Sequence, residues 1–290
     1  MSVWNMIKIK RNIEMYMMLT NLWLVVGSAL VTVLCMVSSI YYSENGTSLS
    51  MIQVFQLLQS NPASIDTEQF QLIVILQRIP SGYLSLFAPI VTSLPFVLSF
   101  HAEKVTKYKR VYMFRKKSSM DYYINKWIAG IFAGGAILMF GILLFQFLIC
   151  FCNGVIFDGF GQPKLIMDKN LWVYFKYYTG IFIYGAMSSM LAIAICFLCD
   201  NLYFIICLPF VLTYLYNIGI SYLLSRLYAS NSSMPEALAQ IVENMFSFSY
   251  MHIFYDIGSA IVLITRILVV FGGVYGGLVV YNKSKLDCGE

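Results

Sequence analysis

The residues able to do chemistry are few, and the densest group runs from Phe100 to Lys126. Phe100-His101-Ala102-Glu103 is followed by Lys104, Lys107, Lys109, Arg110, Arg115, Lys116 and Lys117, and then by Ser119, Tyr122, Tyr123 and Lys126. Val105, Tyr108 and Tyr112 are spaced to share one helical face, with Lys107, Lys109 and Arg110 elsewhere around it. Ser118-Ser119-Met120-Asp121 is a capping-box pattern that opens the next helix. Two readings of this basic, aromatic segment stay open. One is a helix that docks a cytosolic partner. The other is a solvated loop attracted to anionic lipid, at about 1 kcal/mol per basic residue.

No catalytic set accompanies these residues. The chain has no G-x-x-x-x-G-K-[ST] loop, so it is not expected to hydrolyse ATP alone. Its histidines are His101 and His252, without H-E-x-x-H spacing, which speaks against a zinc site. It has neither a nucleophile elbow nor paired intramembrane aspartates, which disfavours an intramembrane protease. Cys35, Cys150, Cys152, Cys196, Cys199 and Cys207 lie in or at the ends of apolar runs and read as free, small core residues. Cys196-Phe-Leu-Cys199 has redox spacing but no βαβ context. No catalytic residue, metal or cofactor is expected in this chain.

One further charge stands out. Arg266 falls inside the last apolar run, seven residues beyond Ser259 and so ~10 Å from that end of a helix. It either snorkels to the surface or pairs with an acid. The candidate acids are Glu243 and then Glu236, and such a pair would form part of an outer gate or substrate path.

The elements that must position these residues are set by the composition. Of 290 residues, 59% are hydrophobic and 11% charged, where soluble domains run near ~25% charged. So much apolar surface calls for a bilayer as solvent. Six apolar runs approach or exceed the length needed to cross ~30 Å of hydrocarbon: 22–42, 83–100, 128–152, 177–199, 202–224 and 259–281. Pro89 and Pro95 predict a kink in the second and Pro209 a bend in the fifth. Asp200-Asn201 predicts a tight hairpin between the fourth and fifth. Placing both termini in the cytosol puts 13 basic residues inside and 5 outside, as the positive-inside bias requires.

The segments between the runs have their own patterns. Residues 1–21 carry Met6, Ile9, Ile13, Tyr16 and Met17 on one stripe, which reads as an interfacial helix on the inner leaflet or else a frayed tail. The first outer loop, 43–80, reads as a short helical hairpin. Residues 51–59 are apolar apart from a glutamine at every third position, Ser60-Asn61-Pro62 turns the chain, and Asp66-Thr67-Glu68-Gln69 resembles a capping box. In the outer loop 226–258, Ser233-Met234-Pro235-Glu236 caps a stripe of Leu238, Ile241, Val242 and Met245, an amphipathic hairpin before the last span. Gly130 and Gly134, and the overlapping pairs Gly272/Gly276 and Gly273/Gly277, favour close helix packing. The expected fold is an all-α integral membrane protein in which residues 1–290 form a single transmembrane domain. It has six transmembrane helices, an N-terminal interfacial helix, a cytosolic coupling helix in 101–126 and an outer amphipathic hairpin.

In this order of parts the chain resembles the permease subunit of type-2 ATP-binding-cassette exporters. The closest local likeness is Phe100 and Glu103 leaving the second span, then the basic stretch, then Ser119, Tyr122 and Lys126 opening the third. The glycine that often follows the family's glutamate is absent here, and the first outer loop is longer than in compact members. The resemblance implies two permease copies, identical or related, in the cell membrane, driven by two soluble ATPase subunits that hold ATP and magnesium. It also implies that Glu103, Lys107, Tyr108, Arg110 and Tyr112 couple to those subunits. Cargoes in the family include lipids, polysaccharide precursors, drugs and peptides, and the resemblance does not choose among them; the apolar, lightly charged outer hairpins favour an amphiphile such as a peptide. The basic residues cluster between the apolar runs, which points to the membrane and not to nucleic acid. Two other readings stand beside it: a non-transporting scaffold or sensor using the same inner loop, and a membrane enzyme acting on lipids, for which no convergent set of acids, bases or ligands is found.

Overall fold

The computed structural model describes residues 22–42, 47–60, 70–79, 83–105, 119–153, 171–198 and 201–228. These form, in order, α1 (Leu22–Val37), β1 (Ser39–Tyr42), β2 (Ser48–Ser50), α2 (Met51–Ser60), α3 (Leu72–Arg78), α4 (Tyr83–Val105), α5 (Ser119–Phe151), α6 (Leu171–Leu198) and α7 (Leu202–Tyr228). The described chain is mostly helical. By length and composition, Leu86–Glu103 in α4 and Asn125–Phe151 in α5 can cross a membrane, while the apolar helix Leu22–Val37 is shorter. The interfacial helix expected in 1–21, the amphipathic hairpin of 226–258 beyond Tyr228, and the sixth apolar run lie outside the described residues.

The first apolar run is not one helix: within 22–42 only Leu22–Val37 is helical. Helix α1 stops at Val37, and its 16 residues measure about 24 Å. Ser38 ends it: both its amide and its hydroxyl donate to the Leu34 carbonyl, at 3.0 and 2.7 Å. Ser39-Ile40-Tyr41-Tyr42 follows, a β-branched and aromatic stretch that suits a strand. It pairs antiparallel with β2, Ser39 opposite Ser50 and Tyr42 opposite Ser48, with an irregularity between Ser39 and Tyr41. The fold is therefore not purely α.

The chain after α1 is helical in the two expected places, and this β-pair precedes both. Ser50 opens α2 through a reciprocal cap: its amide donates to Gln53 Oε1 at 2.9 Å, and the Gln53 amide donates to Ser50 Oγ at 3.4 Å. Met51, Val54 and Leu58 bury one face of α2, and Leu72, Ile75 and Leu76 bury one face of α3. Arg78 joins the pieces. Its Nη1 donates to the Ile40 carbonyl at 3.3 Å, and its guanidinium lies 5.2 Å from the centre of the Tyr42 ring. We call β1, β2, α2 and α3 together the cap.

Helix α4 runs on through Pro89 and Pro95 as a single element, and it packs against α1, α5, α6 and α7. Proline cannot donate a backbone hydrogen bond, so Pro95 leaves the Val91 carbonyl without its i+4 donor. At that point α1 comes close: a Cβ on Gly27 would lie 3.5 Å from the Val91 oxygen. Helices α5 and α6 begin earlier than their apolar runs, at Ser119 and Leu171, and α7 continues to Tyr228. Asn201 opens α7, its Oδ1 accepting the Tyr203 amide at 3.0 Å, only three residues after α6 ends at Leu198.

Two core clusters divide the bundle along its length. One joins the end of α4 (Phe96, Phe100), the start of α5 (Ala129, Ala133), the end of α6 (Ile193, Cys196) and the start of α7 (Ile205). The other joins α1, the end of α5 (Phe145, Ile149), the start of α6 (Tyr177, Ile181) and the cap. Neighbours in sequence from α4 to α7 therefore run in opposite directions, and the cap sits at one end. Buried hydroxyls such as Thr92, Ser188 and Ser189 donate to carbonyls of their own helices, while two on α1 reach across to α5. Thr32 Oγ1 donates to the Gly141 carbonyl at 2.9 Å, and Ser28 Oγ to the Ile137 carbonyl at 3.5 Å.

Close approach of the helices depends on glycine, as expected for Gly130 and Gly134. A Cβ on Gly130 would meet Phe96 and Ile193 side chains at 2.7 and 2.8 Å, and one on Gly134 would lie 2.5 Å from Ser189 Cβ. The glycine pairs at 272–277 lie outside the described residues. Among the described residues, Cys35, Cys150, Cys152, Cys196 and Cys207 form no disulfide. Cys207 departs from the expected core placement, because it is exposed on α7.

Candidate partner-coupling site

At the end of the bundle opposite the cap, α4 and α5 are joined by an ion pair. Lys126 Nζ donates to Glu103 Oε1 at 2.5 Å. The lysine side chain is 5% exposed and the carboxylate side chain 20%. This is a charge-assisted bond held largely away from water, where removing one partner leaves the other's charge uncompensated.

Local packing explains why the two meet. Phe96 and Phe100 stack with ring centres 5.4 Å apart on α4, one turn before Glu103. They pack in one cluster with Ala129 and Ala133 of α5, and Trp127 lies against it. Small residues on α5 let the helices approach, and the aromatic stack fixes the level at which Glu103 leaves the core. Lys126 is seven residues into α5, so the helix projects ~10 Å past the ion pair before reaching Ser119. Helix α4 ends at Val105 close to the pair, and α5 begins at Ser119 at the tip of that projection.

Of the sequence-selected coupling residues, the structure describes Glu103; Lys107, Tyr108, Arg110 and Tyr112 lie outside the described residues. So do Glu236, Glu243 and Arg266. The carboxylate of Glu103 is engaged with Lys126, which makes it a positioning group between two helices. Sequence reasoning set Lys126 in the run opening the third span but did not pair it with Glu103. Local sequence does not single the two out, since Glu103 is followed by Lys104 and Lys126 is preceded by Asn125. His101, two residues before Glu103, has a buried Nδ1 with no hydrogen-bond partner among the described residues. Among the described residues no group of three or more His, Cys, Asp or Glu side chains is gathered to hold a metal.

A second polar group, not anticipated from the sequence, sits at the cap end. Tyr177 Oη donates to the Leu76 carbonyl of α3 at 2.5 Å. The next residue, Tyr178, donates to Gln146 Oε1 of α5. No family model, curated protein or solved structure matches this chain.

Proposed function

We propose that this chain is the membrane-spanning permease subunit of an ATP-driven exporter of the type-2 ATP-binding-cassette kind. It carries an amphiphilic substrate, such as a peptide, out of the cell. The carrying observation is the Glu103–Lys126 pair. It ties the end of one apolar helix to the start of the next at the two positions whose residues resemble the exporter motif. A partner that pushes on the ends of α4 and α5 beside this pair has a direct mechanical route into both helices.

A membrane setting is supported by the side chains left uncovered. Phe140, Leu144, Phe147 and Phe151 on α5, and Val211, Leu215 and Ile218 on α7, are exposed, Phe147 at 65%. Soluble proteins rarely tolerate contiguous apolar patches beyond a few hundred Å². At the cap end, Lys176 lies 5.9 Å from the centre of Trp172 and Arg226 5.4 Å from that of Tyr222. Aromatic and basic residues at matching helix ends suit a headgroup layer. In this reading the chain crosses the cell membrane six times, with both termini and 101–126 in the cytosol and the cap outside. ATP and magnesium are held by two soluble ATPase subunits, and a second permease copy or a relative completes the assembly.

Two measurements test this. A cysteine placed at position 116 in a cysteine-free background should resist a membrane-impermeant maleimide in intact cells and react after lysis; reaction in intact cells would reverse the topology. In proteoliposomes with a co-purified soluble ATPase subunit, Lys107→Glu/Arg110→Glu should lower ATP turnover at least tenfold or abolish co-purification. A double variant that matches the unmodified protein in both assays removes the coupling role.

A further inference from the structure

We propose that the bundle is two units hinged across its middle, so that the Glu103 end swings as one piece against the cap end. The two core clusters change over at one level on each of the helices α4, α5 and α6. On α4 the cap-end cluster holds Leu84, Ala88 and Val91, and the other begins at Phe96. On α5 the change falls between Ala133 and Ala136, and on α6 between Tyr184 and Ala186. Helix α1 supplies buried residues to the cap-end cluster alone.

That level is occupied by residues that bend helices or thin the contact between them. Pro95 denies the Val91 carbonyl its i+4 donor, and proline is a leading cause of sharp helix kinks. Beside it Thr92 donates to the Ala88 carbonyl at 2.7 Å and Ser93 to the Ile90 carbonyl at 2.8 Å. On α6, Ser188 and Ser189 donate to the Tyr184 and Ala186 carbonyls at 2.9 and 2.8 Å. Such back-bonding by serine and threonine favours bending. Facing them on α5, Gly134 meets Gly185 and Ser189, and Gly135 meets Phe182. Backbone set against backbone has no interlocked side chains to resist a swivel. Helix α7 changes partners at its own proline. Ile205, before Pro209, belongs to the Glu103-end cluster, and Phe210, after it, stacks on Phe87 of α4 with ring centres 5.5 Å apart.

A swing of about 15° at Pro95 carries Ala102, seven residues on, by ~3 Å. Lys126 and Glu103 travel together, because the helix ends that bear them share one cluster. Separate cores in one chain open separately, each with its own free energy. The hinge rests on this packing and not on the export reading.

Each core holds one wholly buried cysteine, Cys35 at the cap end and Cys196 at the other. Two versions of the full chain in lipid nanodiscs would keep one of these as the only cysteine, and its labelling by a small permeant maleimide would be timed. Phe100→Ala opens a cavity in the Glu103-end core from α4, and should speed labelling of Cys196 roughly tenfold or more. Cys35 should change by less than about twofold. Phe145→Ala, in the cap-end core, should do the reverse. A substitution that speeds both cysteines alike, or neither, overturns the division into two units. The hinge itself is read from spin labels on exposed positions, Leu22 of α1 with Ala102 of α4, and Val33 of α1 with Phe140 of α5 as reference. Pro95→Ala restores a donor to the Val91 carbonyl and should narrow the first distance distribution by about a third while the reference stays unchanged. An unchanged first distribution, or equal narrowing of both, overturns the hinge.

Discussion

Glu103→Gln should lower the stability of the folded bundle by about 3 kcal/mol, the scale expected when one member of a buried ion pair is removed. Lys126, at 4% exposure, would then have only a neutral amide to meet it. The side chain has little room to reach water, since Trp127 and the Phe96–Phe100 stack pack at the same level. Lys126→Met should cost less, because the carboxylate it leaves is 20% exposed and can turn outward. Denaturant unfolding in mixed micelles, read by tryptophan fluorescence, measures both. Equal and negligible losses would mean that the pair is solvated in the membrane.

Replacing both partners separates holding the helices together from passing on a push. A buried pair exchanged for apolar side chains of similar volume is often neutral for stability. Glu103→Leu/Lys126→Met should therefore unfold within about 1 kcal/mol of the unmodified chain. On the export proposal, the same variant with a soluble ATPase subunit should still lose most of its coupled turnover, because apolar contacts slide where a directed ionic bond does not. Retained turnover in a stable double variant would reduce the pair to packing.

The sequence was most legible where apolar residues run long without interruption. The runs at 83–100, 128–152, 177–199 and 202–224 each became a helix, and each helix proved longer than its run. The added turns carry Ser119 to Lys126 and Leu171 to Lys176, whose charges and aromatics hide a helix from hydropathy. The same measure failed at Ser39–Tyr42 for the opposite reason. Ile40, Tyr41 and Tyr42 continue the hydrophobic run without a charge or a proline to break it, and only their β-branched and aromatic shape marks a strand. The cap of α2 was readable as Ser50-x-x-Gln53, a pattern obscured by the regular glutamine spacing around it. The pairing of Glu103 with Lys126, and of Tyr177 with Leu76, could not be read at all. Each joins residues far apart in the chain, and only the crossing of the helices brings them to one level.

Those crossings are set by glycine, and Gly134→Ala should expose how tightly. The added methyl carbon would stand 2.5 Å from Ser189 Cβ and 3.0 Å from the Gly185 carbonyl. Neither is the free end of a flexible side chain, so α5 and α6 must separate. Gly185 leaves no slack, since its own Cβ would fall 2.7 Å from the Gly134 carbonyl. Overpacking of this kind costs about 1–3 kcal/mol, and the loss spreads because α5 also meets α1 through Gly141, where a Cβ would lie 2.5 Å from Val31 Cβ. Gly130→Ala should be milder, because it presses on the movable ends of Phe96 and Ile193. The decisive variant is Gly134→Ala with Ser189→Gly, which removes the atoms that clash while keeping the contact small-to-small. It should recover at least half of the stability lost by Gly134→Ala alone, measured by thermal unfolding in detergent. No recovery would mean that the two helices do not cross at these residues, and the placement of α6 would have to be redrawn.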